Sequence, residues 1–312
     1  MPTHKSYKNV RVVLFEPDSD VRQTIKSTLH QDTITKTLAT SSLKMAQGAI
    51  FNDEADLAIV DIDTDRNQLC TMMRKIRHQE IGKNPFPVAI ALSGNSSYPN
   101  VRKTIDSGFD LLLVKPFSMN TLLDRIGHLI RQRAPFVVTS DYIGPDRRLN
   151  VRNPNPADLK YQVTVPNPLK IMAEGKTPLH KMQQLIKKST IEVNETRIQR
   201  NGESIPDLVG SLGSHYMLDG LDNEFLQGLK KLDTICKDMD RRLKRSKFAH
   251  VAELCSSMHT VVTRILECPM SPEARDMELL QNLGTVIARA FQGDGNDIAA
   301  AHSISDSIKA VA

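Results

Sequence analysis

Four short apolar runs, each ending in a polar side chain, constrain this chain more than any other feature. Residues 57–61 read LAIVD, four apolar positions driving straight into Asp61, with Asp63 and Asp65 close behind. A run that is apolar at every position reads as a strand buried on both faces, as in a parallel sheet. Residues 10–16 (VRVVLFE) end in Glu16, residues 87–93 (PVAIALS) end in Ser93, and residues 109–116 (FDLLLVKP) carry Lys115 before a proline. Parallel strands of one doubly wound sheet point the same way, so these four endings meet along one edge. Any one of them reads equally well as a cap, a turn or a surface ion pair. Together they describe two carboxylates, a hydroxyl and an ammonium around one hollow. A divalent cation between the acids would neutralise a phosphoryl group whose oxygens Ser93 and Lys115 could hold.

Between these runs the pattern turns helical. Val21, Ile25 and Leu29 recur at four-residue spacing, and Leu69, Met72, Met73 and Ile76 form a second stripe. Residues 33–39 alternate polar and apolar, which predicts an edge strand, and Ser41 or Ser42 is placed to cap the helix that follows. Five strands alternating with five helices predict an α/β, flavodoxin-like, doubly wound five-stranded parallel sheet of order 2-1-3-4-5.

Residues 9–133 resemble a response-regulator receiver domain, the phospho-accepting half of two-component signalling. The resemblance rests on the order and separation of Glu16, Asp61, Ser93 and Lys115, and most specifically on the Lys115-Pro116-Phe117 triplet. It implies that Asp61 is the phosphoacceptor, Ser93 the switch hydroxyl, Lys115 the conserved lysine and Glu16 part of the acidic pocket. Mg²⁺ would lie among Glu16, Asp18 and Asp61, and the phosphoryl donor would be a sensor histidine kinase or a phosphotransfer protein. Three positions depart from the family pattern. Pro17 stands where a second acid is usual, which leaves Asp18 or Asp63 to compensate. The loop after Asp61 lacks the usual methionine-proline. Leu112 stands where many receivers carry a switch tyrosine or phenylalanine. These departures favour a rival reading, a phosphorylation-independent pseudo-receiver that acts as a scaffold.

Length sets the remaining bounds. With 312 residues, 25 % charged and 40 % hydrophobic, the chain has room for two modest domains. A net charge of +5 does not by itself imply nucleic acid. Cys70, Cys236, Cys255 and Cys268 show no metal-ligand spacing and read as reduced thiols. The first residues carry no apolar leader and no run is long enough to span a membrane, so the expected location is the cytoplasm.

The domain division expected is a receiver over residues 1–133, a proline-rich linker over 134–178 and an α-helical output region over 179–312. Prolines 135, 145, 154, 156, 166, 168 and 178 predict an extended or irregular connector, with a short strand at residues 161–165. Within it YIGPDRRLNVR, residues 142–152, reads as a solvated turn in preference to a docking peptide. Beyond it, apolar stripes predict helices over residues 179–198, 221–247, 248–268, 272–291 and 297–311, packed as an all-α bundle. Residues 202–220 read as a loop because Pro206, Gly210 and Gly213 interrupt them. Three functions compete for this half. A phosphotransfer histidine (His250, His259 or His302) lacks the small residue expected four positions on, where Leu254, Thr263 and Asp306 stand. DNA binding through residues 240–247 (DRRLKRSK) competes with simple pairing to the helix dipole, and this half is nearly balanced in charge. A bundle that binds a protein partner, with self-association into a homodimer as the lesser alternative, is the preferred reading. No phosphate loop or nucleophile–base pair suggests an enzymatic output.

Overall fold

The structure is a computed structural model describing residues 7–148, 160–219, 221–244 and 246–292. The chain divides into two compact units, Met1–Glu192 and Val193–Ala312.

The first unit is built on five parallel strands: β1 (Arg11–Phe15), β2 (Lys36–Thr40), β3 (Leu57–Asp61), β4 (Val88–Ser93) and β5 (Leu111–Val114), in the order β2-β1-β3-β4-β5. Every residue of β3 and β4 is buried, as their unbroken apolar runs require. The edge strand β2 alternates between exposed and covered positions. Helices α1 (Ser19–Gln31), α2 (Leu43–Phe51), α3 (Arg66–Arg77), α4 (Tyr98–Asp106) and α5 (Met119–Arg131) connect and follow the strands. The two-residue period of the strands sorts the core into two layers. Val12, Leu14, Leu57, Ile59, Ile90 and Leu92 meet Ile25, Leu29, Leu122 and Ile126 on the α1/α5 side. Val13, Phe15, Ala58, Val60, Ala89 and Ala91 meet Ala46, Leu69, Met73 and Ile76 on the α2/α3 side. Phe15 is opposite Val60, Asp61 opposite Leu92 and Ser93 opposite Val114, so the strand ends line up along one edge. The Lys115–Pro116 peptide bond is cis.

The region read as a linker carries structure of its own. Three short antiparallel strands, β6 (Phe136–Val138), β7 (Ile143–Pro145) and β8 (Gln162–Val163), form a second sheet in the order β7-β6-β8. Helix α6 (Pro168–Glu174) then lays Leu169 into the α1/α5 layer. The second sheet is fastened by charge. Asp110, just before β5, accepts from Arg77 Nη2 at 2.9 Å, from Arg133 Nε at 2.8 Å and from the Ala89 amide at 2.9 Å. Both guanidiniums lie against the Phe136 ring, 5.1 and 5.0 Å from its centroid, and Phe86 meets that ring edge-on. Gly108 takes φ +87°, and a Cβ there would lie 2.8 Å from Arg77 Cγ and 3.1 Å from the Ile143 carbonyl oxygen. The predicted solvated turn at residues 142–148 is therefore corrected. Ile143–Pro145 is buried strand, and Arg147 donates to the carbonyls of Phe109 and Asp110. Residues 149–152 of that motif lie outside the described residues.

Helix α7 (Leu179–Ser214) runs straight through the stretch predicted as a loop and ends in a π-turn, His215–Asp219. An interior proline forfeits a backbone hydrogen bond and costs ~3 kcal/mol. Burying Ile198, Ile205, Val209 and Leu212 along one side offsets that at roughly 1.5–3 kcal/mol each. Gly202 is a site of close approach: a Cβ there would lie 2.5 Å from the Phe291 ring. The second unit continues with α8 (Asn223–Leu243), a single 3₁₀ turn at Ala249–Val251, α9 (Ala252–Glu267) and α10 (Ala274–Gln292). Their predicted stripes form its core, with Leu229, Leu232, Met239, Leu254, Met258, Val261, Leu280 and Ile287 all buried. The helix expected over residues 297–311 lies outside the described residues. No described helix is long and apolar enough to cross a membrane.

Candidate functional site

At the carboxyl edge of the parallel sheet, Lys115 Nζ lies 2.7 Å from Glu16 Oε2 and 2.6 Å from Asp61 Oδ2. Side chains ninety-nine and fifty-four residues from Lys115 in sequence thus meet on one ammonium. Both carboxylates are almost fully buried, and Lys115 is about a quarter exposed. Burial pulls the Lys115 amine down, but its hydrogen bonds to Asp61 and Glu16 prevail and hold it above the usual lysine value. The other Asp61 oxygen accepts from the Asp63 amide at 3.0 Å and the Thr64 hydroxyl at 3.3 Å, which fixes the carboxylate plane.

The remaining predicted residues are placed differently. Asp18 is the N-cap of α1, accepting from the amides of Asp20 and Val21 at 2.9 Å. The Val21 and Asp20 amides hold its carboxyl below the usual value, and Lys115 contributes a smaller pull in the same direction. Ser93 is fully buried at its strand end, with its hydroxyl turned into a neighbouring cluster. It donates to Asp63 Oδ1 at 2.8 Å and accepts from Arg66 Nη2 at 2.7 Å and from the Asn95 amide at 3.0 Å. Asp63 is also held by Arg66 and the Gly94 amide. Burial alone would raise the Asp63 carboxyl; the Gly94 amide, the Ser93 hydroxyl and Arg66 overcome this and leave it lowered. Leu112 is half-buried against the α2/α3 layer.

Sequence reasoning missed Arg66. It is the one cation among Asp61, Asp63 and Asp65, and that charge contrast was the available signal. Its other nitrogen reaches α4, 3.3 Å from Thr104 Oγ1 and 3.5 Å from the Asn100 carbonyl oxygen.

Glu16 and Asp61 suit a hard divalent cation in kind and in charge. Two convergent carboxylates with one ammonium carry a net negative charge, and Mg²⁺ is commonly held by one or two carboxylates with water completing the octahedron. The donor set therefore fits Mg²⁺ with Glu16 and Asp61 as protein ligands.

In the second unit His215, Asp222 and Glu224 bring their ligand atoms within 4.8 Å of one another, but the two acids are exposed, unlike the buried carboxylates on Lys115. Of the basic run beginning at Asp240, Arg242 is buried, while Arg241, Lys244 and Lys247 are exposed and lie near acids of the same unit. Asp238 accepts from Arg242 Nε at 2.8 Å, Arg241 Nη2 at 2.7 Å and Arg197 Nε at 2.9 Å, and Lys247 lies 3.6 Å from Glu195. His259 Nε2 on α9 sits 3.2 Å from Asp233. The His250 side chain and His302 lie outside the described residues.

A wound parallel sheet with an acid–lysine–acid trio at its carboxyl edge defines a receiver-type α/β unit. Residues 12–127 match the family described as response regulator receiver domain. The chain is also similar to the response regulator protein PmrA of Pseudomonas aeruginosa, 28 % identical over 123 residues. That alignment covers 39 % of this chain and 53 % of the relative, so the chain spans about half the length of the curated relative it matches.

Proposed function

We propose that this chain is a cytoplasmic two-component response regulator whose Asp61 accepts a phosphoryl group. The donor is a phosphohistidine on a sensor kinase or phosphotransfer protein. The receiver match and the response-regulator relative support the class. The observation that carries the reading is Lys115 bridging Asp61 and Glu16. An Asp61 carboxylate oxygen attacks phosphorus, a P–O bond forms as the P–N bond breaks, and the histidine nitrogen leaves and takes up a proton. Lys115 stabilises the charge on the transferring group. Glu16 and Asp61 would hold Mg²⁺, which supplies further positive charge when bound, and Asp18 adds a carboxylate outside that pair. Phosphorylation replaces the single charge of the Asp61 carboxylate with an acyl phosphate of charge near −2 and shifts the elements that follow Ser93. Residues 134–178 connect this event to the helical region, which signals by binding a protein partner.

The scaffold reading has specific support in Pro17 and in the commitment of the Ser93 hydroxyl to Asp63 and Arg66. Incubating the full chain with a small phosphodonor and Mg²⁺ separates the two. An acid-stable, alkali-labile phosphate present in the native protein and lost in Asp61→Ala supports phosphoacceptance. No such phosphate at saturating donor overturns it in favour of the scaffold.

A further inference from the structure

We infer that Arg66 senses the phosphoryl group, exchanging Asp63 for phosphoryl oxygens and carrying the change to α4. This rests on the phosphoacceptor reading of Asp61 and supplies what Leu112, which has no hydrogen-bonding or aromatic edge to reorient, cannot. The argument begins with the Ser93 hydroxyl. It has one proton, which faces Asp63 Oδ1 at 2.8 Å and the Asn95 carbonyl at 3.1 Å, and its lone pairs face Arg66 Nη2 and the Asn95 amide. Such a hydroxyl has no hydrogen-bonding capacity left for a group on Asp61 until Asp63 and Arg66 release it.

The charges supply the release. Asp63 is two residues from Asp61, and its amide already bonds the Asp61 carboxylate. A doubly charged phosphoryl group there repels the Asp63 carboxylate and attracts the guanidinium paired with it. Arginine is suited to the exchange because its planar fork donates to two phosphate oxygens at a time. The same fork has its second arm on α4, at Thr104 Oγ1 and the Asn100 carbonyl. Thr104 is fully buried and Arg66 is only 12 % exposed, so swinging Nη2 away toward the phosphoryl group withdraws Nη1 from its seat on α4. A residue at the head of α3 thereby couples the ends of β3 and β4 to the helix after Ser93.

The experiment uses the full chain with beryllofluoride and Mg²⁺ as the phosphoryl mimic, reading affinity by titration and amide hydrogen exchange over residues 98–106. Native protein should bind in an Asp61-dependent way and change exchange across α4. Arg66→Gln should bind about tenfold or more weakly, the loss of a charged hydrogen bond, and show no α4 response at saturation. Arg66→Lys keeps the charge without the fork and should recover affinity but not the α4 response. Asp63→Asn, which weakens the competing partner, should bind several-fold more tightly and keeps the test decisive if Arg66→Gln does not fold. Native affinity or a native α4 response in Arg66→Gln, or weaker binding by Asp63→Asn, overturns the inference. Failure of native protein to bind the mimic sinks the phosphoacceptor reading itself, which is a different result.

Discussion

Asp110 holds two buried cations at once, and its replacement has the largest worked consequence in the first unit. Its carboxylate receives Arg77 Nη2, Arg133 Nε and Nη2 and the Ala89 amide. The Arg77 side chain is fully buried and that of Arg133 is 3 % exposed. Burial raises the Asp110 carboxyl, but Arg133 and Arg77 together bring it below the usual value. Burial pulls Arg77 down to about 10 even with Asp110 beside it. Removing one partner from a buried pair costs ~3–5 kcal/mol because the other charge is stranded. Here two are stranded, yet both keep carbonyl acceptors: Pro85, Pro87 and Gly108 for Arg77, and Phe86 and Pro166 for Arg133. Those carbonyls keep only part of each guanidinium bonded. The amide oxygen of Asp110→Asn can still accept, whereas in Asp110→Ala the Arg77 Nη2, Arg133 Nε and Ala89 amide lose their acceptor as well as the countercharge, which places Asp110→Asn near ~3 kcal/mol and Asp110→Ala near ~5 kcal/mol. Urea unfolding followed by hydrogen exchange resolves the units, where one global transition would mix them. Protection should fall first at Phe136–Val138 and Ile143–Pro145. Because the folded value is depressed, this stabilisation is present above the unfolded aspartate value and is lost as pH falls through the folded one. The acid limb of native stability, below about pH 4, should therefore flatten in Asp110→Ala. A loss under ~1 kcal/mol with unchanged protection in the second sheet would refute the reasoning.

Lys115→Met should cut Asp61 labelling by a small phosphodonor by about an order of magnitude or more, for a charged hydrogen bond worth ~1.5–3 kcal/mol; labelling at the native rate would remove Lys115 from the chemistry. In the second unit, Asp238→Ala removes the carboxylate shared by Arg197 and Arg242, each under 5 % exposed, and should cost ~3–5 kcal/mol, visible as lost protection in α7 and α8.

The parallel sheet was legible because burial on both faces leaves so plain a mark: LAIVD and VAIALS permit little else, and their polar ends name the edge. Glu16, Asp61 and Lys115 followed from strand direction alone, with no need to know any distance. Asp18 and Ser93 follow and end their strands where the sequence places them, but local competition set their orientation. The α1 amides claimed the Asp18 carboxylate, and Asp63 with Arg66 claimed the Ser93 hydroxyl. Of the second sheet only the strand predicted at residues 161–165 was legible, found at Gln162–Val163; the other two escaped notice because they are three residues long and their anchor is non-local, since Arg77, Asp110 and Arg133 carry no shared pattern. Helix α7 was predicted over residues 179–198, and its continuation to Ser214 escaped for a related reason. Pro206, Gly210 and Gly213 read as breakers until Ile205, Val209 and Leu212 beside them are seen to be buried.

Strand β5 is four residues long, borders the parallel sheet, and has Asp110 at one end and Lys115 at the other. So short a border strand, laddered to β4 alone, has little of its own to prevent it slipping lengthwise. The arginines gripping Asp110 set its zero point, and β5 then serves as a ruler that delivers the ammonium to the two acids. A substitution at the far rim of the sheet can thus spoil the chemistry without touching any residue that performs it.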